Sequence, residues 1–213
     1  MNATSDYPGP HEVRFQGSAL ARGLLGCFGW KLQYEGFPAL QGVAVIYPHT
    51  SNWDFVVMIL AKWAIGIPAR FWSKDSLFQV PLLGRWLSWL GGIALRRGSP
   101  QGMVGNMVNL MVQHRREGRV LWLALSPEGT RRRMPGWRSG FYRVALGADV
   151  PVALVHLDYS HKLVKVTDFL RMSGDIEADY ARIAAAYEGV GGLRRDGASP
   201  VQPLSKPFSA DTV

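Results

Sequence analysis

The amino-acid sequence predicts a single α/β domain in which a mixed, largely parallel sheet is flanked by helices. Two observations support this prediction. Short apolar segments rich in β-branched residues alternate with segments of helical length along the 213 residues, which is typical of βαβ units. No Pro- or Ser-rich linker divides the chain, and its hydrophobic content of 47% is sufficient for one substantial core.

The first 41 residues are predicted to lie outside the sheet. Residues 1–16 are polar and are expected to be flexible, whereas residues 17–41 are expected to form a helical segment. Within it, residues 18–30 are apolar, end in aromatic side chains and are flanked by basic ones. That pattern suits a helix lying in a membrane interface. Its three glycines weaken an isolated helix, so a helix packed on the domain is an equally good interpretation.

Strands and helices alternate through the motif-bearing core, residues 43–159, and beyond it. The first strand, residues 43–47, is apolar and β-branched, and Pro48 ends it. Further strands are predicted at residues 69–73, 93–96, 119–125, 152–156 and 162–167. Helices are predicted at residues 52–66, 76–90, 102–117, 139–147 and 175–187. The Gly- and Pro-containing tail, residues 189–213, is expected to fray.

The charge balance favours anionic partners. The chain has 24 Lys and Arg residues against 16 Asp and Glu, a formal net charge of +8. Such a surplus suits phosphorylated co-substrates and acidic lipid surfaces. Nucleic acid is disfavoured as a partner, because no helix-turn-helix, zinc or RNA-binding signature accompanies the charge.

The sequence also predicts the compartment. A single cysteine, Cys27, indicates a reducing environment and is expected to be a small packed residue. Residues 1–16 do not resemble a signal peptide, and no stretch reaches the ~18 to 20 uncharged apolar residues needed to span a bilayer. We therefore expect a cytoplasmic protein, bound peripherally to the inner face of the cell membrane.

The segment His49-Thr50-Ser51-Asn52-Trp53-Asp54 carries chemistry at the junction of a predicted strand and a predicted helix. In the first helical turn, Asp54 is favoured by the positive end of the helix dipole. It can hold one ring nitrogen of His49 in the protonated form, which leaves the other nitrogen to accept a proton. A helix cap is the alternative, because Ser51 and Asp54 fit the S-x-x-D pattern, in which the carboxylate only satisfies backbone donors.

A second loop, Ser126-Pro127-Glu128-Gly129-Thr130-Arg131, follows another predicted strand. It combines a carboxylate, a glycine amide, a hydroxyl and a guanidinium, which suits a phosphate because arginine binds it bidentately and glycine permits close approach. The alternative is a Pro-Gly turn with solvated arginines. His49, Arg97 and this loop all follow predicted strands, and functional loops of open α/β sheets cluster at the carboxyl ends of strands. We therefore expect them to gather at one edge of the sheet.

Together these patterns resemble the lysophospholipid acyltransferase family, the glycerolipid acyltransferases. The segment from His49 to Asp54 resembles the first family motif (HxxxxD), and Pro127-Glu128-Gly129-Thr130-Arg131 the third (PEGTR), in the same order and at a similar separation. Residues 92–97 and 150–155 resemble the second and fourth motifs. The resemblance covers residues 43–159. The sequence around the motifs is similar to that of a compact bacterial branch of the family.

The resemblance implies a glycerolipid acyltransferase-like fold and an O-acyltransferase. Acyl-CoA or acyl-carrier protein would be the co-substrate, a lysophospholipid the acceptor, with lysophosphatidate the leading candidate, and His49 the general base oriented by Asp54. Neither a bound cofactor nor a metal is expected, because the remaining histidines fit no zinc spacing. The residues assigned to substrate binding are Arg97, Glu128, Gly129, Thr130 and Arg131. Within this set, Glu128 is expected to order Arg131 or to hold an acceptor hydroxyl, since an unpaired carboxylate would repel a phosphate.

Two other functions use the same residues. A hydrolase could use the His49–Asp54 pair to activate water against a thioester or phosphoester. A non-catalytic basic module could dock on anionic membranes without any chemistry. Free fatty acid without an acylated lipid would favour the hydrolase, and a His49→Ala variant that kept its function would favour the binding module.

Overall fold

The computed structural model describes residues 5–95 and 100–204, and within them the chain forms one seven-stranded sheet with helices on both faces. The strands are β1 (Lys31–Tyr34), β2 (Gln41–Tyr47), β3 (Arg70–Lys74), β4 (Gly92–Leu95), β5 (Leu121–Leu125), β6 (Val152–Asp158) and β7 (Leu163–Leu170). The helices are α1 (Ala19–Cys27), α2 (Trp53–Ile65), α3 (Asp75–Phe78), α4 (Pro81–Trp89), α5 (Pro100–Arg116), α6 (Gly140–Ala148) and α7 (Ile176–Ala186). The predicted α/β class is thereby confirmed.

The strand order, β1-β7-β6-β2-β5-β3-β4, places β2 at the centre, with β6 and β5 as its neighbours. The five strands from β6 to β4 are mutually parallel, whereas β7 is antiparallel to β6 and β1 runs parallel to β7. Since β2 lies directly between β5 and β6, the loops that follow these three strands emerge side by side at one edge.

Two apolar layers hold the sheet. Val43 and Val45 of β2 point into a layer shared with α5, α6 and α7, while Ala44 faces a layer shared with α1 and α2. This alternation follows from the two-residue period of a strand. Because both faces are covered, β2 is buried almost throughout, as expected for a central parallel strand.

The sequence did not predict β1. Residues 17–41 were expected to be helical, yet only Ala19–Cys27 forms a helix, and Lys31–Tyr34 pairs with β7 at the edge of the sheet. Its side chains alternate between exposed and partly buried, so it lacks the apolar run that marks the central strands. The predicted helix at residues 76–90 is instead divided into α3 and α4, since Pro81 starts a new helix at its first turn.

Both terminal segments are attached to the domain where the structure describes them, although the sequence predicted flexibility there. The backbone amide of Asp6 donates to the carbonyl of Phe169 over 2.9 Å, and Val13 bridges Phe37. Near the other end, Ser199 is completely buried, and Trp137 bridges Pro203. Neither segment is apolar enough to reveal this packing from its sequence.

Helix α1 packs against α2 through Ala21 and Leu25, and its opposite side is exposed. Cys27 lies on the exposed side, so the expectation of a packed cysteine is wrong. Within the described part of the chain, no helix combines the length and apolarity needed to cross a membrane.

Candidate active site

His49 lies on the loop that joins β2 to α2, at the carboxyl-terminal edge of the parallel strands. Strand β2 ends two residues before His49, and its pairing with β5 on one side and β6 on the other fixes its position. Helix α2 begins at Trp53, which places Asp54 in its first turn. Nδ1 of His49 lies 3.1 Å from Oδ2 of Asp54, so the two predicted catalytic side chains are in contact.

The Asp54 carboxylate is almost completely buried, and both of its oxygens accept hydrogen bonds. Oδ2 also accepts from the backbone amides of Thr50, over 2.7 Å, and Ser51, over 2.8 Å. Oδ1 accepts from the hydroxyl of Tyr159 over 2.7 Å. Burial raises the pKa of Asp54, but the hydrogen bonds, led by that from His49, outweigh this effect and keep the pKa below its ordinary value.

These contacts determine the protonation of His49. An ionised carboxylate only accepts hydrogen bonds, so Nδ1 of His49 carries a proton, and in the neutral ring the lone pair is on Nε2. The His49 side chain is 27% exposed. Among residues 5–95 and 100–204, none makes a hydrogen bond to Nε2. The ring therefore offers a proton acceptor at the open edge of the sheet.

The capping interpretation of Asp54 and the catalytic one both describe part of the geometry. Asp54 accepts from the amide of Ser51, and Oγ of Ser51 accepts from the amide of Trp53 over 3.2 Å, as in a helix-capping arrangement. The same Oδ2 atom also contacts His49. One carboxylate thus shapes the loop and orients the imidazole.

Sequence reasoning missed Tyr159 as a site residue. It follows β6, which is in register with β2 so that His156 lies opposite Tyr47. Counting three residues onward on each strand brings Tyr159 beside Thr50, in the loop that carries His49. Burial and the neighbouring Asp54 carboxylate raise the pKa of the Tyr159 hydroxyl, which remains a proton donor to Asp54. The signal that reveals it is the pairing of β6 with β2, which requires the strand order.

Glu128 lies behind the loop that carries His49 and contacts its backbone. It is 1% exposed, and Oε2 accepts from the amide of His49 over 2.6 Å, whereas Oε1 accepts from the amide of Ser199 over 2.8 Å. Burial raises the pKa of Glu128, although the hydrogen bonds from Ser199 and His49 oppose the shift. The geometry differs from the predicted contact with Arg131 or an acceptor hydroxyl, because in the described chain both carboxylate oxygens are occupied by backbone donors.

The rest of the loop after β5 is basic and mostly exposed. Gly129 adopts a φ of 65°, which favours glycine, and the side chain of Arg138 lies so close that a Cβ would be 2.9 Å from its Nε. Oγ1 of Thr130 accepts from the amide of Arg132, and Arg131 is exposed. A guanidinium already lies against the glycine, which suits the approach of an anion.

One predicted site residue has no described position. Arg97, like its neighbour Arg96, lies outside the described residues. The strand that precedes it, β4, is separated from β5 by β3.

Comparison with known proteins identifies the family. The family model described as Acyltransferase matches residues 31–157, more than half of the chain. The chain therefore belongs to the acyltransferase family, which confirms the resemblance drawn from the two motifs. Within the described residues, no group of three or more His, Cys, Asp and Glu side chains is arranged to hold a metal ion.

The individual proteins that the chain resembles share only 17% to 25% sequence identity with it. The chain is 25% identical, over 138 residues and 63% of its length, to "1-acyl-sn-glycerol-3-phosphate acyltransferase LPAT1, chloroplastic" of Arabidopsis thaliana and to its counterpart BAT2 of Brassica napus. It spans 38% and 39% of those two proteins. The crystal structure of the 1-acyl-sn-glycerophosphate acyltransferase PlsC from Thermotoga maritima is 17% identical, with a TM-score of 0.47, over 76% of this chain and 70% of that one.

Asp54→Asn should lower the free energy of unfolding by about 1 to 3 kcal/mol at neutral pH. The NH₂ group of asparagine would face the backbone N–H groups of Thr50 or Ser51, which now donate to the carboxylate. Since the folded-state pKa of Asp54 is depressed, its stabilisation is complete above the ordinary value of 3.8 and is lost as pH falls through the lower folded pKa. Urea unfolding of both proteins between neutral and acid pH measures the difference. The partly exposed Asp75→Asn change is the control and should cost little stability. A constant difference down to the lowest pH would contradict the assignment.

Proposed function

We propose that this protein is an O-acyltransferase that moves a fatty acyl group from a thioester to the hydroxyl of a phosphate-bearing lysolipid. The observation that supports it most is Nε2 of His49, to which no described residue makes a hydrogen bond, while Nδ1 is fixed by a buried carboxylate. The chain also belongs to the acyltransferase family. The exposed basic loop beside it suits the phosphate groups of both substrates.

In the proposed reaction His49 is the general base. Nε2 removes the proton of the acceptor hydroxyl as the oxygen attacks the thioester carbonyl, which gives a tetrahedral intermediate and an imidazolium. Collapse forms the ester bond and breaks the C–S bond, and the imidazolium returns the proton to the leaving thiolate. Asp54 keeps the ring oriented and stabilises the imidazolium. Direct attack is favoured because the sequence contains no G-x-S-x-G nucleophile elbow.

The acceptor and donor are proposed from their charge and from the relatives. The two plant proteins are named as acyltransferases of 1-acyl-sn-glycerol-3-phosphate, which supports lysophosphatidate as the leading acceptor. Acyl-CoA and acyl-carrier protein both present a phosphopantetheine arm, which suits a protein with a net charge of +8. Arg131, Thr130 and Gly129 are proposed to bind the acceptor phosphate together with Arg97, and Glu128 to position the catalytic loop.

His49→Ala should abolish transfer, and Asp54→Asn should lower the turnover number by roughly 10⁴, the cost of losing an orienting carboxylate in an acid–base triad. The measurement is incubation with labelled acyl-CoA or acyl-carrier protein and a panel of lysolipids, followed by mass spectrometry. His114→Ala, a histidine on α5, is the matched control and should keep full turnover. Release of free fatty acid without an acylated lipid would point to the hydrolase instead.

Arg131→Ala and Arg97→Ala should each raise the KM for the acceptor roughly tenfold or more and leave the KM for the donor nearly unchanged. Binding of a remote phosphate is largely the same in the ground state and the transition state, so the effect falls on KM. Steady-state kinetics with each substrate varied in turn measures both constants. Arg116→Ala, an exposed arginine at the end of α5, is the control. A rise confined to the donor would reassign these arginines to the carrier phosphates.

We further propose peripheral binding to anionic membranes through one apolar face. Leu20 and Leu24 of α1 line the same groove as Trp63 of α2. The ring of Trp63 lies 6.0 Å from that of Trp89 on α4, which joins the three helices into one surface. The exposed members of this apolar face are Leu20, Leu24, Trp53, Val56, Trp63, Leu82, Trp86 and Trp89.

The charges around the apolar face support a lipid surface as its partner. The face carries three cations, the exposed Arg22 and Arg85 and the partly buried Lys62, whereas the only carboxylate on α1, α2 and α4 is the buried Asp54. Tryptophan favours the boundary between headgroups and acyl chains. The face begins at Trp53, next to the catalytic loop, so a lipid acceptor would reach His49 from the bilayer edge.

The double change Leu82→Ala and Trp89→Ala should weaken vesicle binding about tenfold or more, because it removes two of the most exposed apolar side chains. Co-sedimentation with phosphatidylglycerol vesicles measures it, and high salt should release the wild type, as the Debye length falls from ~10 Å at 0.1 M to ~3 Å at 1 M. Leu146→Ala with Ile176→Ala, on the far side of the sheet, is the control. Release only by detergent would indicate deep insertion instead.

A further inference from the structure

Residues 190–204 form a C-terminal strap that crosses the loops of the active site. The carbonyl of Gly191 accepts from the amide of Tyr159 over 2.8 Å, and the amide of Arg194 donates to Oγ1 of Thr50 over 3.2 Å. The amide of Ser199 then donates to Glu128. The strap therefore contacts, in order, the end of β6, the His49 loop and the loop after β5. It lies beyond residue 157, where the match to the family model ends.

Ser199 is the most tightly held part of the strap. It is fully buried, its hydroxyl accepts from the amide of Met134 over 3.0 Å, and its carbonyl accepts from the hydroxyl of Tyr47 over 3.1 Å. The hydroxyl also lies near the carboxylate of Glu128 and opposes the rise in its pKa. Ser199 thus donates its backbone amide to one buried carboxylate and places its hydroxyl beside it.

We propose that the strap is a working part of the active site and that Ser199 is a positioning residue, which acts through Glu128 on the backbone of His49. This inference rests on the proposed acyl transfer. Glu128 has one oxygen on the amide of His49 and the other on the amide of Ser199, so it transmits the position of the strap to the base.

Energetics favour this role for Glu128. A buried carboxylate is costly unless its oxygens are hydrogen-bonded, and removing one donor leaves an uncompensated group. Without the contacts of Ser199, Glu128 would shift toward solvent or take up a proton, and either change weakens its bond to the amide of His49. Displacement of a catalytic group by about 1 Å can cost 10²-fold in rate.

A second contact supports the same conclusion independently. Gly192 approaches the His49 loop so closely that a Cβ on it would lie 2.8 Å from Cγ2 of Thr50. Together with the bond from Arg194 to Oγ1 of Thr50, this places the strap directly against the residue after His49. The loop is therefore held on one side by Asp54 and on the other by Glu128 and the strap.

The test is a double-mutant cycle. Ser199→Ala should lower kcat about tenfold and leave both KM values within about twofold, since the base and not a binding group is displaced. Because Ser199 acts through Glu128, adding Ser199→Ala to Glu128→Gln should cost nothing beyond Glu128→Gln alone. Thr50→Val, which removes the acceptor for Arg194, should add to the effect of Glu128→Gln.

The matched control is Ser173→Ala. Its hydroxyl also donates to a carboxylate, Asp179, and accepts from a backbone amide, that of Asp175, but at the start of α7. This variant should keep wild-type kcat. Hydrogen exchange at the amide of His49 provides a readout that needs no substrate: it should accelerate in Ser199→Ala and Thr50→Val and stay unchanged in Ser173→Ala, at a temperature where all variants are folded.

The outcomes separate this inference from the proposed function. A wild type without transferase activity would overturn the proposed function. The exchange rate at the His49 amide would then still test whether the strap positions the His49 loop. Wild-type kcat in Ser199→Ala, additive effects of Ser199→Ala and Glu128→Gln, or unchanged exchange at the His49 amide would each overturn the role of Ser199.

Discussion

The buried Asp54 carboxylate is the interaction on which the site depends. It accepts the amides of Thr50 and Ser51, the ring of His49 and the hydroxyl of Tyr159. An ion of this kind is stable in a nearly dry position only because hydrogen-bond donors surround it. The same donors define the turn between β2 and α2, so the orientation of the proposed base and the shape of the loop cannot be altered separately.

Glu128 repeats this arrangement from the opposite side. It too is buried, and it too accepts backbone amides rather than a cationic partner. The two carboxylates differ in pKa because Asp54 has enough donors, His49 included, to outweigh burial, whereas burial dominates at Glu128. The His49 loop is thus fixed between a carboxylate from its own helix and one from the neighbouring loop.

A basic surface and an apolar surface lie in different parts of the molecule. The basic loop after β5 lies at the carboxyl-terminal edge of the sheet, while the exposed tryptophans lie on α2 and α4. Trp53 connects the two regions because it starts the helix that also carries Asp54. An amphiphilic substrate would find a site for its headgroup and a surface for its acyl chain next to each other, as the proposed reaction requires.

The sequence by itself determined the α/β class, the central strands and the pairing of His49 with Asp54. These are local features, since an apolar β-branched run and a contact across five residues depend only on nearby backbone geometry. Only the tertiary structure decided the roles of Tyr159 and Ser199, whose partners are 105 and 71 residues away. Contacts at that separation follow from strand order and packing. It likewise decided that Glu128 turns inward and that β1 and the strap belong to the domain, because none of these has an apolar pattern to show it.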